Sequence, residues 1–132
     1  MQGMVRWKGD GYEGRTGGGK EFSIYDDSSP SPMEMVLHAH AACSLIDVVG
    51  GLKERRDNLR MARIDIDSDR SENSPRVFEK VHFVYVIRGD VPKALVERII
   101  HRSHESLCSV GIMLTRGGVN LTWDLDFGSS IY

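Results

Sequence analysis

Hydrophobic and polar residues alternate along Gln2–Lys8 and again along Glu21–Tyr25, and glycine-rich stretches around Gly9–Gly11 and Gly17–Gly19 interrupt the segment. Period-two alternation between turn residues predicts short strands in a meander. Ser28-Ser29-Pro30 predicts a turn. The next four residues have the form of a helix start, with Ser31 as N-cap, Pro32 at the first helical position and Glu34 completing a capping box. The helix is expected to run from Pro32 to about Arg56. Between Met35 and Val49 it is apolar on nearly every face, so it calls for cover all round instead of one wet side.

Beyond the basic, polar stretch Lys53–Arg60, the segments Ala62–Asp67 and Val77–Ile87 alternate again and predict two strands around a turn at Ser71–Pro75. Asp90-Val91-Pro92 opens a second helix, expected over Pro92–Ser106, with Leu95, Val96, Ile99 and Ile100 on one face. That helix is amphipathic. Past Cys108 the pattern returns to strand in Gly111–Thr115 and Val119–Phe127, with Gly117-Gly118 as a hairpin turn. The order strands, buried helix, strands, helix, strands predicts an α+β fold with antiparallel sheets. Two helices and a sheet cannot surround a helix that is apolar on every face, so a homodimer that buries it is the natural inference.

Length and charge narrow the picture. A chain of 132 residues suits one domain spanning the whole sequence. The formal charge of −2 arises from 17 basic and 19 acidic side chains scattered along it, with no basic stripe to track a phosphate backbone, so nucleic acid is not an expected partner. No secretory leader pattern and no uninterrupted apolar run of membrane length is seen, which leads to the expectation of a soluble, cytoplasmic protein. Two cysteines are too few for a disulfide scaffold.

Cys43 falls in the middle of the first helix, where the helix dipole helps little, so a thiolate there needs another activator. At 100° per residue His40 and Asp47 lie within roughly 60° of it on the same face, a proton acceptor and a polar partner. The bland alternative is a small core cysteine beside a satisfied histidine. Cys108, just past the second helix with His104 four residues before it, sits near a helix C-terminus and suits a resolving thiol better than an attacking one. His38, His40, Cys43, His104 and Cys108 are conceivable metal ligands. However, His-x-His on a helix points its side chains about 160° apart and no CxxC pair exists, so no metal is expected.

The run from Ser31 to Val49, with Ala39-His40-Ala41-Ala42-Cys43 at its core and Asp47-Val48-Val49 after it, resembles the central-helix signature of the OsmC/Ohr family. Ser74-Pro75-Arg76-Val77-Phe78 and Leu107-Cys108-Ser109-Val110 resemble its second half, particularly in the OsmC-like branch. The resemblance implies an OsmC-like fold: an intertwined homodimer with long central helices and interface sites that reduce alkyl or fatty-acid hydroperoxides. Cys43 would match the peroxidatic thiol and Cys108 the resolving one, with a dithiol, notably a lipoylated protein, as reductant and no bound cofactor. In the best-known members a glutamate ten residues before the cysteine organises an arginine on the thiolate. Here that position is Met33, with Glu34 beside it. The arginine would match Arg15, with Arg6 and Arg70 as competitors.

Two other functions stay in view. A non-catalytic relative would bind an apolar or acyl molecule at the dimer interface or act as a redox sensor, and Met33 speaks for it. A purely structural protein would keep both thiols inert.

Overall fold

The computed structural model describes residues 1–117. The expected meander is present: strands β1 (Gly3–Trp7), β2 (Tyr12–Thr16) and β3 (Glu21–Ile24) form an antiparallel sheet in that order. β1 is exposed along its whole length. The sheet meets the rest of the molecule at the start of the first helix, where Val5, Tyr12, Ile24 and Tyr25 share an apolar recess with Pro32 and Met35.

Helix α1 (Pro32–Gly51) starts as the local chemistry dictates. The Ser31 side chain accepts from the Glu34 amide at 3.2 Å, and the Glu34 carboxylate accepts from the Ser31 amide at 3.1 Å. It ends five residues before the expected Arg56. Gly51 packs where a β-carbon would meet Ile99 side-chain atoms at 2.9 to 3.1 Å, Leu52 caps the helix, and Lys53 turns to φ 54° before a 3₁₀ segment over Lys53–Asn58. Helix-forming residues there yield to a chain reversal that feeds the next strand. The face of α1 that carries His40, Ala41, Ser44 and Val48 is buried, while Ala39, Ala42 and Ile46 on the other side are exposed. By length and a mean hydropathy of 1.2 α1 could cross a bilayer, yet its buried face holds Ser44 in hydrogen bonds to two other elements, as a core helix does.

The two central strands are longer than the sequence suggests. β4 (Leu59–Arg70) and β5 (Phe78–Gly89) form one long antiparallel hairpin, with Ile64 opposite Tyr85 and Ile66 opposite Phe83. Side chains alternate between the helices and solvent along β4. Helix α2 (Lys93–Arg102) lays Val96 and Ile99 against Val48 and Leu52 of α1, and Leu59, Tyr85 and Ile87 of the hairpin close this core from the sheet side.

The chain then departs from the expected pattern. α2 gives way to a π-helical turn over Ser103–Leu107, closed by the Cys108 amide donating to the Ser103 carbonyl at 2.8 Å. A third helix, α3 (Ser109–Arg116), follows where a strand over Gly111–Thr115 was expected. Val110, Ile112 and Leu114 alternate as a strand would, but Cys108 caps the segment as a helix and α3 packs on α1. Gly117 is the C-cap of α3; the rest of the expected hairpin turn and the Val119–Phe127 strand lie outside the described residues.

Candidate functional site

The fold brings Cys43 and Cys108 together. Cys43 lies half-buried in the middle of α1, and Cys108 is fully buried at the start of α3, which packs against that same helix. The Cys108 sulfur accepts from the Gly111 amide at 3.4 Å and faces the His40 carbonyl at 3.9 Å. Cys108 sits at the C-terminal end of the π turn, as the sequence suggested, and at the same time caps the N-terminus of α3, where the exposed amides favour a thiolate. Burial wins nonetheless. Desolvation pushes its pKa up, the Gly111 amide offsets only part of this, and neighbouring Cys43 and Asp47 push it further in the same direction. Cys108 is thus held as a protonated thiol at neutral pH.

His40 is 8% exposed and neither ring nitrogen has a hydrogen-bond partner within the described residues. Its ring stands edge-on to Phe83 at 4.8 Å between centroids. Burial lowers its pKa, and His104 adds to the effect, so it is a neutral imidazole. Gly111 makes room for it: a β-carbon there would lie 2.5 Å from His40 Nε2 and 3.3 Å from the Cys108 sulfur. His40 thus crowds Cys108 as well as sharing a helix with Cys43.

The remaining sequence candidates are placed differently. Glu34 is engaged in the helix cap, and its carboxyl is held below the usual range chiefly by the Ser31 amide. Arg15 is exposed on β2, opposite Met4 and Glu21, and among the described residues no hydrogen bond or ion pair joins it to either cysteine. Arg6 pairs with Glu13, and Arg70 donates to the Arg76 carbonyl at 2.9 Å. Met33 lines a largely apolar cleft of about 810 Å³ together with Val36, His40, Phe83, Tyr85 and Leu114. Such a volume suits a small organic molecule. Among the described residues no three His, Cys, Asp or Glu side chains gather as metal ligands; His38 instead donates from Nδ1 to the Glu34 carbonyl at 2.8 Å.

Sequence reasoning missed a buried polar chain beside the thiols. Asp47, expected to serve Cys43, accepts from the Ser103 hydroxyl at 2.8 Å. Ser103 contacts Ser44 at 2.9 Å, Ser44 contacts the Tyr85 hydroxyl at 2.6 Å, and Tyr85 contacts His104 Nε2 at 2.9 Å. The π turn makes this arrangement. It turns Ser103 and Cys108 inward while His104, expected to share a face with Cys108, lies exposed above Tyr85. A serine inside an apolar helix and a tyrosine on an inward strand position were the only signals available.

Comparison with known proteins agrees with the fold. A family described as OsmC-like protein matches residues 25–124. Protein YhfA of Escherichia coli K12 is 36% identical over 127 aligned residues, covering 92% of this chain and 94% of that one. A hypothetical protein from Aquifex aeolicus VF5 superimposes with a TM-score of 0.78 at 26% identity, over 88% of this chain and 87% of that one. An OsmC-like protein from Mycoplasma pneumoniae shares the fold at 12% identity, with a TM-score of 0.72 over 88% of this chain and 87% of that one.

Proposed function

The chain belongs to the OsmC-like family, and from that premise we propose that it is a thiol-dependent peroxidase that reduces alkyl or fatty-acid hydroperoxides in oxidative-stress defence. The observation that carries the reading is the meeting of a half-exposed Cys43 with a buried, protonated Cys108. In the reaction the Cys43 thiolate attacks the outer peroxide oxygen, the O–O bond breaks, and the alkoxide leaves as an alcohol after taking a proton. Cys108 then condenses with the Cys43 sulfenic acid to give a disulfide and water, and an external dithiol, such as a lipoylated protein, reopens it by exchange. The apolar cleft beside His40 suits an alkyl chain.

A homodimer belongs to this proposal. The exposed side of α1, with Ala39, Ala42 and Ile46, and the exposed Val5, Trp7 and Phe22 of the β1–β3 sheet are apolar surfaces that a second copy would bury. Arg15 on that sheet would then reach a thiol across the interface, a contact it does not make among the described residues. The test is consumption of cumene hydroperoxide with dihydrolipoamide as reductant. Turnover in the wild type, its loss in Cys43→Ser, and its arrest after one cycle in Cys108→Ser are expected; an inactive wild type refutes the reading.

A second reading rests on Met33 in the cleft wall. A binding module for an apolar or acyl molecule would keep its ligand with both cysteines replaced, and equilibrium dialysis of a fatty acid against the Cys43→Ser/Cys108→Ser protein separates the two.

A further inference from the structure

The buried polar chain has a direction. A hydroxyl carries one proton, and a carboxylate only accepts. Ser103 donates to Asp47, so its oxygen must accept from Ser44. The Ser44 proton being engaged, Ser44 accepts from Tyr85, and Tyr85 in turn accepts from His104 Nε2–H. All four protons point toward Asp47. Ser44 and Ser103 are 0% exposed, so no water competes for these bonds, and burial raises the Tyr85 pKa and keeps its hydroxyl protonated. The arrangement fixes the His104 tautomer and leaves Nδ1 on an exposed residue, free to take a proton from solvent.

We propose that His104, Tyr85, Ser44, Ser103 and Asp47 form a one-way proton relay that delivers a proton from the cleft to the thiol pair during disulfide formation. The inference rests on the peroxidase reading and extends it. Asp47 lies one helical turn from Cys43, on its face, and its charge acts on Cys108. When Cys108 attacks, the Cys108–Cys43 S–S bond forms and the Cys43 S–O bond breaks. The departing hydroxide takes the proton delivered at Asp47 and leaves as water. Each proton in the chain moves one place toward Asp47, and His104 is recharged from solvent at Nδ1. The Cys108 proton leaves toward neutral His40, which crowds the same glycine, so one proton enters and one departs. Ser44, Ser103 and Tyr85 act as positioning residues.

The ends of the relay face different charges. Asp47 lies beside Cys43 and Cys108 and lines a second cleft with Lys53, Glu54, Arg55, Arg98 and Arg102. His104 shares the apolar cleft with His40, His82, Glu79, Lys80 and Tyr85. Solvent supplies protons at the His104 end, which is exposed.

The experiment follows the sulfenic acid through one turnover. Protein is mixed with one equivalent of cumene hydroperoxide, and sulfenic acid and disulfide are resolved by dimedone trapping and mass spectrometry. Tyr85→Phe removes one oxygen and keeps the edge-on ring contacts with Phe83 and His104. Once the sulfenic acid has formed, this substitution is expected to slow its conversion to the disulfide by about 100-fold, the scale of a lost general acid. His104→Gln, which has no second ring nitrogen to take a proton from solvent, should slow disulfide formation as Tyr85→Phe does. Ser44→Ala serves if Tyr85→Phe does not fold. Disulfide formation at the wild-type rate in either folded variant overturns the relay alone. A wild type that forms no sulfenic acid overturns the peroxidase and the relay together.

Discussion

Gly111→Ala tests whether His40 and Cys108 truly share the space that Gly111 leaves open. The new β-carbon would lie 2.5 Å from His40 Nε2, 3.1 Å from its Cδ2 and 3.3 Å from the Cys108 sulfur, and the His40 ring is already packed edge-on against Phe83. Helix propensity favours alanine by about 1 kcal/mol. Overpacking a closed site costs about 1–3 kcal/mol. The balance is a loss of up to about 2 kcal/mol, which for a chain of this size lowers Tm by up to about 8 °C. Gly50→Ala is the control: it lies in the last turn of α1, its β-carbon would meet nothing within 4 Å, and the same propensity should raise Tm by a few degrees. Thermal unfolding by circular dichroism at one fixed protein concentration reads both. His40→Ala should lessen the penalty of Gly111→Ala in a double-mutant cycle, because it removes the ring that the β-carbon strikes. A Gly111→Ala protein as stable as Gly50→Ala, with no coupling to His40→Ala, would refute the placement of His40 against Gly111.

Two further predictions concern the ends of this arrangement. Ser31→Ala removes the side-chain acceptor for the Glu34 amide and should lower stability by about 1 kcal/mol in urea titration; an unchanged midpoint contradicts the cap. His40 sets a pH dependence. Its folded-state pKa lies below the ordinary 6.5, so the unfolded chain binds more protons below that value. Its contribution is therefore intact above pH 6.5 and lost as pH falls through the lower folded value; the urea midpoint of the wild type should decline there and that of His40→Asn should decline less.

What the sequence disclosed was chemistry held within a few residues. Ser31, Pro32 and Glu34 specify the start of α1 by themselves, and alternation in Ala62–Asp67 and Val77–Ile87 foretold the hairpin though not its full length. The end of α1 was misjudged because Lys53–Arg56 favours a helix locally, whereas Gly51 serves a close approach to Ile99 that only tertiary packing reveals. α3 was misread for the same reason. Its alternating apolar residues fit a strand, but its capping sulfur and the His40 ring against Gly111 belong to the assembled core. The polar chain was beyond local reading altogether, since Ser44 meets Tyr85 across 41 residues and Ser103 across 59.

The same geometry explains how a chain with Met33 in place of a glutamate can still support a thiol pair. Glu34 cannot substitute, because its carboxylate is engaged by the Ser31 amide, and Met33 adds an apolar group to the cleft. In the proposed peroxidase a cation for Cys43 must come from elsewhere, which ties that activity to the proposed homodimer. Cys108 is under the opposite constraint. Its helix-capping position favours a thiolate, yet desolvation outweighs that and keeps the proton on. The two thiols thus differ in access, Cys43 half-buried and Cys108 fully buried, which suits the separate attacking and resolving steps of the proposed cycle. In the proposed cycle, Cys108, buried and protonated, must also exchange protons with its surroundings at the moment of attack. Neutral His40 on one side and the directed chain from His104 on the other are the groups this fold places there.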